Sequence, residues 1–266
     1  MALRPAPNVK GKPTGTVPIP IPRAGRLGQA PRVTTFVIAT RNRHKVEEIR
    51  AVLGTGFTCQ TLADFPGAPA VVEDAASFAG NAAKKALELA AWLGSRPELS
   101  RGGAWFVLAD DSGLEVDALG GAPGVRSARF AAADSGGSGN STDAENNAKL
   151  LELLRDVPAP RRTARFRCAI ALVPAGPAAA ACGSGAGPEV FEGVCEGRVL
   201  TEARGECGFG YDPLFQPLGY TATFAELGEP VKNEISHRAR ALEQLRSWLA
   251  RTGRAAEPGT EPRNPS

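Results

Sequence analysis

The sequence predicts an α/β fold in which an elongated mixed β-sheet carries flanking helices and forms two lobes around a cleft. Three observations predict it. Short apolar runs alternate with segments whose apolar residues recur every three or four positions, the interleaving of strands and helices that a layered α/β domain requires. Two long runs, 163–173 and 189–200, follow each other without a helix, which makes them an antiparallel hairpin. The chain of 266 residues, 42% of them hydrophobic, is large enough to bury a core.

We divide the chain into a body over 33–251 and two extensions, 1–32 and 252–266, which we expect to be disordered. The first extension holds seven prolines, six basic residues and no acid, so it cannot build a core. The remaining residues contain 25 basic and 28 acidic side chains, a net charge of −3. A basic body that grips nucleic acid is therefore not indicated, and we expect no specific nucleic-acid binding.

The sequence argues against a membrane-spanning protein and against a histidine-based zinc site. No apolar run approaches the roughly 18 residues that a membrane span needs. The five cysteines are scattered without a CxxC pair, and the chain has only two histidines. Such cysteines are typical of free thiols in a reducing compartment, so we expect a cytoplasmic protein without a histidine-based zinc site.

The first half of the body alternates strand and helix. Residues 35–39 are apolar throughout, as buried strands are, and a helix follows from Asn42. A short strand is predicted over 57–62. A long helix then runs from its cap, Ser77, to Leu93, with an apolar stripe at helical spacing.

The second half begins with two short strands, 105–109 and 114–118, which polar residues separate. A helix is predicted over 143–154. The hairpin strands follow, with a low-complexity loop over 174–188 between them, and a helix over 236–250 closes the fold.

One candidate site lies where a strand leads into a helix, in "ATRNRHKVEEI", residues 39–49. Helix N-termini present free N–H groups and a positive dipole end, so they bind phosphate, and Lys45 in the first turn adds charge. Thr40 and Asn42 lie in the same turn. An ordinary strand–turn–helix connection with an Asn42 cap is the alternative.

Two acidic segments suit a magnesium site. Glu73 precedes a helix on which Asn81 and Lys85, four residues apart, share a face. Asp110 and Asp111 end a buried strand, and successive strand side chains point to opposite faces. One acid can then bind Mg²⁺ while the other contacts the metal or orients water. A surface helix with a leading acid and a β-turn with Asp at its first positions are the alternatives.

Two later segments suit the binding of an aromatic base. In "GECGFGYDPLF", residues 205–215, glycines flank Phe209 and expose an aromatic face for stacking. In "KNEISHRARAL", residues 232–242, polar side chains gather at the start of the last helix: Lys232, Ser236, His237 and Arg238.

Together and in this order, five segments closely resemble the inosine triphosphate pyrophosphatase family, the XTP/dITP diphosphatases: "ATRNRHKVEE", "EDAASFAGNAAKKA", "ADDSGLEVDALGGAPGVRSARF", "GFGYDP" and "KNEISHRARAL". The resemblance extends from about Thr35 to Leu249. It implies a homodimer with a two-lobed α/β fold. It also implies Mg²⁺-dependent hydrolysis of ITP, dITP and XTP to the monophosphate and pyrophosphate, which cleanses the nucleotide pool.

The resemblance implies a role for each matching residue. Asp111 matches the proton acceptor that activates water, Glu73 and Asp111 match metal ligands, and Asn81, Lys85 and Asp110 are further candidates. The residues that match substrate contacts are, in chain order, Thr40, Arg41, Asn42, Arg43, His44, Lys45, Ser112, Phe209, Gly210, Tyr211, Asp212, Lys232, His237 and Arg238. We expect Arg238 or His237 to donate to the purine 6-keto oxygen, a bond that an adenine amino group cannot accept.

Two departures from the family pattern are visible. Bacterial members usually read "TGN" where this chain has Thr40-Arg41-Asn42, and the arginine adds charge near the phosphates. They usually carry a glutamate where this chain has Gly80, so one acid near the metal is missing.

Three other functions stay open. A related house-cleaning pyrophosphatase could act on other modified nucleotides, although "FGYD" and "SHR" argue against it. A nucleotide-binding module could lack catalysis, against which Glu73, Asp111 and Lys45 count. A nucleic-acid-binding protein could use the basic leader.

Overall fold

In the computed structural model of the protein, six strands of the described residues form one open sheet: β1 (Thr34–Ile38), β2 (Thr58–Thr61), β3 (Ala104–Val116), β4 (Thr163–Ala175), β5 (Glu189–Val199) and β6 (Phe215–Pro217). Their order in the sheet is β2-β1-β3-β4-β5-β6. β1 is parallel to both of its neighbours, and the pairs from β3 to β6 are antiparallel, which confirms the predicted mixed sheet. The structure describes residues 34–99, 104–132, 139–176, 179 and 187–252.

The helices cover both faces of this sheet and one end of it. Their bounds are α1 (Arg43–Leu53), α2 (Phe78–Gly94), α3 (Asp143–Leu153), α4 (Phe224–Ile235) and α5 (His237–Arg251). The predicted caps Asn42 and Ser77 each accept a bond from a backbone N–H of their helix, and Ser236, predicted as the first residue of the last helix, caps α5 in the same way. Among the described residues, no helix is long and apolar enough to cross a membrane.

Alternation along β3 and β4 divides the core between the two faces of the sheet. Odd-numbered residues such as Val107 and Ala171 pack with α2. Even-numbered residues such as Leu108 and Ile170 pack with α1 and α5. A third cluster lies at the far end of the long strands, where Leu114 packs against α3, α4 and their neighbours. The first two clusters form one lobe and the third forms the other, with the middle of β3 between them.

The prediction of two strands over 105–109 and 114–118 was wrong. β3 runs unbroken through Asp110 and Asp111, and each pairs with a residue of β4. The acids were interpreted as the end of a strand because isolated carboxylates are costly to bury. Here lysine and arginine side chains neutralise both of them, so the strand continues past them.

Other differences concern segments without a clear periodic pattern. β6 and α4 were not predicted, because β6 has three residues and α4 contains Gly228 and Pro230. Gly228 has φ +74°, so α4 is kinked there. β4 extends to Ala175, into the predicted 174–188 loop. Most of that loop and both predicted extensions lie outside the described residues, apart from Thr252 at the end of α5.

Gly193 allows α5 to pack directly on β5, and this contact gives a test of the packing. A Cβ atom at Gly193 would lie 2.6 Å from the Ala241 backbone nitrogen and closer still to the His237 carbonyl oxygen. We therefore expect Gly193→Ala to lower the free energy of unfolding by about 1–3 kcal/mol through overpacking, as measured by urea denaturation.

Gly94→Ala is the matched control for this substitution. Gly94 is the last residue of α2, its φ is negative, and a Cβ added there would meet no heavy atom within 4 Å. That substitution should leave stability unchanged or raise it by up to about 1 kcal/mol. Equal effects of the two substitutions would show that the close contact at Gly193 does not constrain α5.

Candidate active site

The connection between β1 and α1 forms the first wall of the candidate site. Asn42 caps α1 by accepting the Lys45 backbone N–H at 3.2 Å, and Thr40 Oγ1 accepts the Asn42 N–H at 3.1 Å. These bonds fix the turn and bring Lys45 to the carboxyl end of β1. Arg41 donates to the Ala68 carbonyl, and Arg43 is exposed and paired with Glu47.

Asp110 lies on the face of β3 that α1 and α5 cover, with 1% of its surface exposed. Its carboxylate lies 2.5 Å from Lys45 Nζ and 3.0 Å from Arg238 Nε. It also accepts the Cys168 thiol and the Ser112 hydroxyl, at 3.0 and 3.1 Å. Burial favours the neutral acid, but the charges of Arg238 and Lys45 outweigh it and hold the pKa of Asp110 well below its usual range.

Glu48 on α1 joins this cluster to the segment around Phe209. Its carboxylate accepts Lys232 Nζ at 2.8 Å and also pairs with Arg238. Lys232 in turn lies 2.5 Å from Asp212. The result is a buried network of three cations and three carboxylates: Lys45, Lys232 and Arg238 with Glu48, Asp110 and Asp212.

Asp111 points to the opposite face of β3, towards α2, as the alternation of strand side chains predicts. Lys85 Nζ lies 2.9 Å from Asp111 Oδ1, 3.0 Å from Glu73 Oε1 and 2.7 Å from the Asp110 carbonyl oxygen. Asn81 donates to the other Asp111 oxygen at 3.2 Å. Four of the residues that the sequence analysis proposed for this site are therefore in contact.

Burial raises the pKa of Asp111 above its ordinary value; the charges of Lys85 and Lys45 oppose this, and the charge of Glu73 adds to it. Glu73 is less buried, so Lys85 outweighs burial and the pKa of Glu73 is lowered. Their surroundings thus shift the pKa values of these two carboxylates in opposite directions, upward for Asp111 and downward for Glu73.

The residues of this second cluster fit a magnesium ion by the chemistry of their donors. Two carboxylates and one backbone carbonyl converge on the same Lys85 ammonium. These are the hard oxygen ligands that Mg²⁺ uses, and it needs only one or two carboxylates when substrate phosphates complete its shell. Among the described residues, no group of three or more His, Cys, Asp or Glu side chains could hold a metal.

Phe209 lines a small open pocket together with Glu48, Phe224 and Lys232. Its ring stacks on His44, with centroids 5.2 Å apart and planes 11° apart. Lys232 Nζ lies 4.3 Å from the same ring centroid. Among the residues that the sequence analysis assigned to substrate, His44, Phe209 and Lys232 are therefore brought together.

The segment that carries Phe209 is tied to its surroundings through the backbone. Asp212 accepts the Phe209 N–H at 2.9 Å, and the Tyr211 hydroxyl donates to the Ser127 carbonyl at 2.9 Å. Gly208 has φ +81°, and a Cβ there would collide with the Asp212 carboxylate. Glycine at 208 is therefore required for the Asp212 bond.

Arg238 and His237 are more deeply buried than expected. Arg238 is 1% exposed, and each of its guanidinium nitrogens donates to Glu48, Asp110 or Ser112. The expected direct contact from Arg238 to a purine is thus disfavoured in this arrangement, because protein acceptors already use its donors. His237 stacks on Phe166, and burial holds its pKa well below the ordinary value, which keeps the ring neutral.

Two residues of the site were missed at the level of sequence. Glu48 was hidden within the helix "KVEEI", where nothing in the sequence distinguishes it from the exposed Glu47. Arg129 donates to the Glu73 carbonyl at 2.9 Å and lies 3.6 Å from its carboxylate. No sequence signal distinguishes Arg129 from the neighbouring Arg126.

Comparison with known proteins identifies relatives along most of the chain. A sequence model of the Ham1 family matches residues 36–248. A dITP/XTP pyrophosphatase of Desulforamulus reducens is 48% identical over 218 residues, which cover 81% of this chain and 96% of that protein. One from Geobacter sulfurreducens is 46% identical, covering 83% and 99%. The solved structure of a HAM1 protein from Coxiella burnetii superposes with a TM-score of 0.66 at 36% identity, covering 82% of this chain and all of that one.

The buried charge network predicts a dependence of stability on pH. Burial raises the pKa of Glu48, but Arg238 and Lys232 outweigh it, so its folded-state pKa lies below its unfolded value. The ionised Glu48 therefore contributes to the free energy of unfolding above its pKa in the unfolded chain, near 4.3. This contribution is lost as the pH falls through the lower pKa of Glu48 in the folded protein. Glu48→Gln should lower stability at pH 7 by about 3 kcal/mol and flatten the fall in Tm between about pH 5 and 3.

Glu47→Gln is the control for the Glu48 measurement. Glu47 is the neighbouring residue and pairs only with exposed side chains, Arg43 and His44, among its described contacts. Its substitution should change stability by less than about 1 kcal/mol and leave the pH profile unaltered. A pH profile of Glu48→Gln that parallels the unsubstituted protein would show that Glu48 does not carry the effect.

Proposed function

Because the chain belongs to the Ham1 family, we propose that it hydrolyses non-standard purine nucleoside triphosphates, namely ITP, dITP and XTP, to the monophosphate and pyrophosphate. The chain is a hydrolase of triphosphate anhydride bonds, like the dITP/XTP pyrophosphatases that it resembles over most of their length. This activity removes such nucleotides before they are incorporated into DNA and RNA.

The observation that carries the proposal is the placement of the adjacent residues Asp110 and Asp111. Asp110, whose pKa is held well below its usual range, anchors Lys45 and Arg238, and Asp111, whose pKa is raised, lies beside Lys85. A cationic helix start, a proton acceptor and an aromatic pocket thus lie around the middle of one strand. A nucleoside triphosphate needs those three features for its phosphates, its attacking water and its base.

Asp111 is the proposed proton acceptor. Its Oδ1 is held by Lys85 and its Oδ2 by Asn81, so the carboxylate is fixed in orientation. It takes the proton from a water molecule that attacks the α-phosphorus, while the bond to the bridging oxygen of the pyrophosphate breaks. Burial raises the pKa of Asp111 above its ordinary value.

Lys45 and Lys85 are the proposed charge-stabilising groups. Lys45 stands in the first turn of α1, where the helix dipole also favours anions. Its charge acts on Glu73 and Asp111 as well as on Asp110, so it lies within electrostatic reach of both clusters. The two ammonium groups would stabilise the negative charge that accumulates on the leaving pyrophosphate.

Mg²⁺ is the proposed cofactor, with Glu73 and Asp111 as its carboxylate ligands. When bound, it would polarise the phosphate oxygens and lower the pKa of water near it. Lys85 now holds these carboxylates together, and Arg129 orients Glu73 from the other side. Gly80 supplies no acid of its own, and a Cβ there would lie 2.8 Å from the Ala75 Cβ.

The base is proposed to stack on Phe209 beside Lys232, in the pocket that Glu48 lines. Phe209 and His44 are too close for a base to enter between them, since aromatic planes in contact need about 3.5 Å on each side. A purine would therefore displace the exposed His44 ring.

We extend the proposal to a homodimer in the cytoplasm, on the family resemblance alone.

Substrate choice tests the proposed function directly. ITP, dITP or XTP should be hydrolysed with a kcat/KM at least about tenfold above that for ATP or GTP, because a mismatched buried donor or acceptor costs about 1–3 kcal/mol. Pyrophosphate release is the measurement, with each nucleotide assayed with and without Mg²⁺. Comparable values for ATP and ITP would contradict the substrate, and full activity in EDTA would contradict the cofactor.

Asp111 and Asp110 are neighbours of the same chemistry with different proposed roles, which makes them a matched pair. Asp111→Asn should reduce kcat for ITP by about 10²-fold or more, because it removes the base, while the protein stays folded. Asp110→Asn leaves Arg238 and Lys45 without their shared anion and should lower stability by about 3–5 kcal/mol.

Both variants are compared by calorimetry and by pyrophosphate release at a temperature where each is folded. A near-normal kcat of Asp111→Asn would show that another group accepts the proton from water. An Asp110→Asn protein of unchanged Tm would mean that its ion pairs do not hold the fold.

A further inference from the structure

Gly210, next to Phe209, is held by α3 at both of its backbone polar groups. Asp143 Oδ2 accepts the Gly210 N–H at 2.7 Å, and Asn147 Nδ2 donates to the Gly210 carbonyl at 3.0 Å. Asp143 and Asn147 are four residues apart and so lie on one face of the helix. The same helix face therefore binds one peptide position from both sides.

The backbone at this position needs such support. Gly208 and Gly210 have φ values of +81° and +62°, so Phe209 is flanked by two residues of high conformational freedom. On the other side, only the Asp212 carboxylate accepts the Phe209 N–H among the described hydrogen bonds. The Phe209 carbonyl accepts the Asp212 N–H at 3.3 Å, and Tyr211 is tied to Ser127, so α3 adds the bonds that hold the peptide between these anchors.

The helix that supplies the two bonds is itself well anchored. Thr142 and Glu145 form a capping box at its start, and Leu150 is fully buried in the core of the second lobe. Asn146 accepts the Ala131 N–H, which ties the helix to the segment after Phe130. A rigid element thus presents Asp143 and Asn147 to the glycine-flanked backbone.

We propose that Asp143 and Asn147 are positioning residues that hold Phe209 in the orientation that stacks on the nucleotide base. The inference rests on the proposed function, because Phe209 matters to the reaction only if a base stacks on it. Neither residue is near Asp111 in the described contacts, so their loss affects base binding and leaves the chemical step intact. The free-energy cost of ordering the segment would then fall on the binding step, which raises KM.

The experiment compares Asp143→Ala, Asn147→Ala and the double variant with the full chain. Asp143→Asn keeps an acceptor oxygen and loses only the charge, so it separates the bond to Gly210 from the charge at the helix start. Glu152→Gln is the control on the same helix, because Glu152 is exposed and pairs with Arg155. Amide hydrogen exchange of peptides covering 205–215 is measured beside kcat and KM for ITP.

We expect both alanine variants to accelerate exchange in 205–215 and to raise KM about fivefold each, with kcat within a factor of two. Asp143→Asn should restore most of the KM, and Glu152→Gln should match the unsubstituted protein in every readout. Unchanged exchange in the double variant, or equal loss of kcat with unchanged KM, would overturn the proposal. If the unsubstituted chain releases no pyrophosphate from ITP, the proposed function fails, while the exchange data still decide whether α3 holds the segment.

Discussion

The fold depends on the burial of two adjacent carboxylates on opposite faces of one strand. Each carboxylate in the middle of β3 must meet a cation, because an unpaired buried charge costs several kcal/mol. Asp110 meets Lys45 from α1 and Arg238 from α5, and Asp111 meets Lys85 from α2. The three helices that cover the first lobe therefore each supply a cation to this strand. Apolar packing determines that these helices lie on the sheet, and the ion pairs determine where along it they lie.

The pairing of buried carboxylates with cations also joins the two lobes. The network on the α1 face continues from Asp110 through Arg238 and Glu48 to Lys232 and Asp212, which belong to the second lobe. Because its charges balance, the network tolerates burial as a unit but not the loss of one member. A phosphate-binding helix start and an aromatic pocket are thereby held at a fixed separation. Rigid placement of this kind is what a site needs in order to position both ends of a long substrate.

Sequence periodicity was sufficient for the helices and strands that bury a continuous stripe, such as α2 and the β4–β5 hairpin. It failed in the middle of β3, because the partners that make Asp110 and Asp111 tolerable in a strand lie up to 128 residues away in the chain. The family resemblance grouped Glu73, Lys85 and Asp111, and the structure brings them into contact, because α2 packs on the face of β3 to which Asp111 points. Glu48 was missed for a related reason: one glutamate of an adjacent pair is exposed and the other buried, and only the packing of α5 on α1 decides which. The burial of Arg238 was not foreseen either, because a cation at a helix start is ordinarily exposed.

The alternation of Asp110 and Asp111 has a consequence for how this protein can change length. A one-residue insertion or deletion before Asp110 in β3 would turn every following side chain to the other face of the sheet. The ionised anchor and the basic carboxylate would then exchange environments, although neither residue had been substituted. Changes of chain length within a lineage that keeps this site should therefore be confined to the connections, or be compensated by a β-bulge in the same strand. The position of each aspartate within β3, which decides the face to which it points, therefore matters as much as its identity.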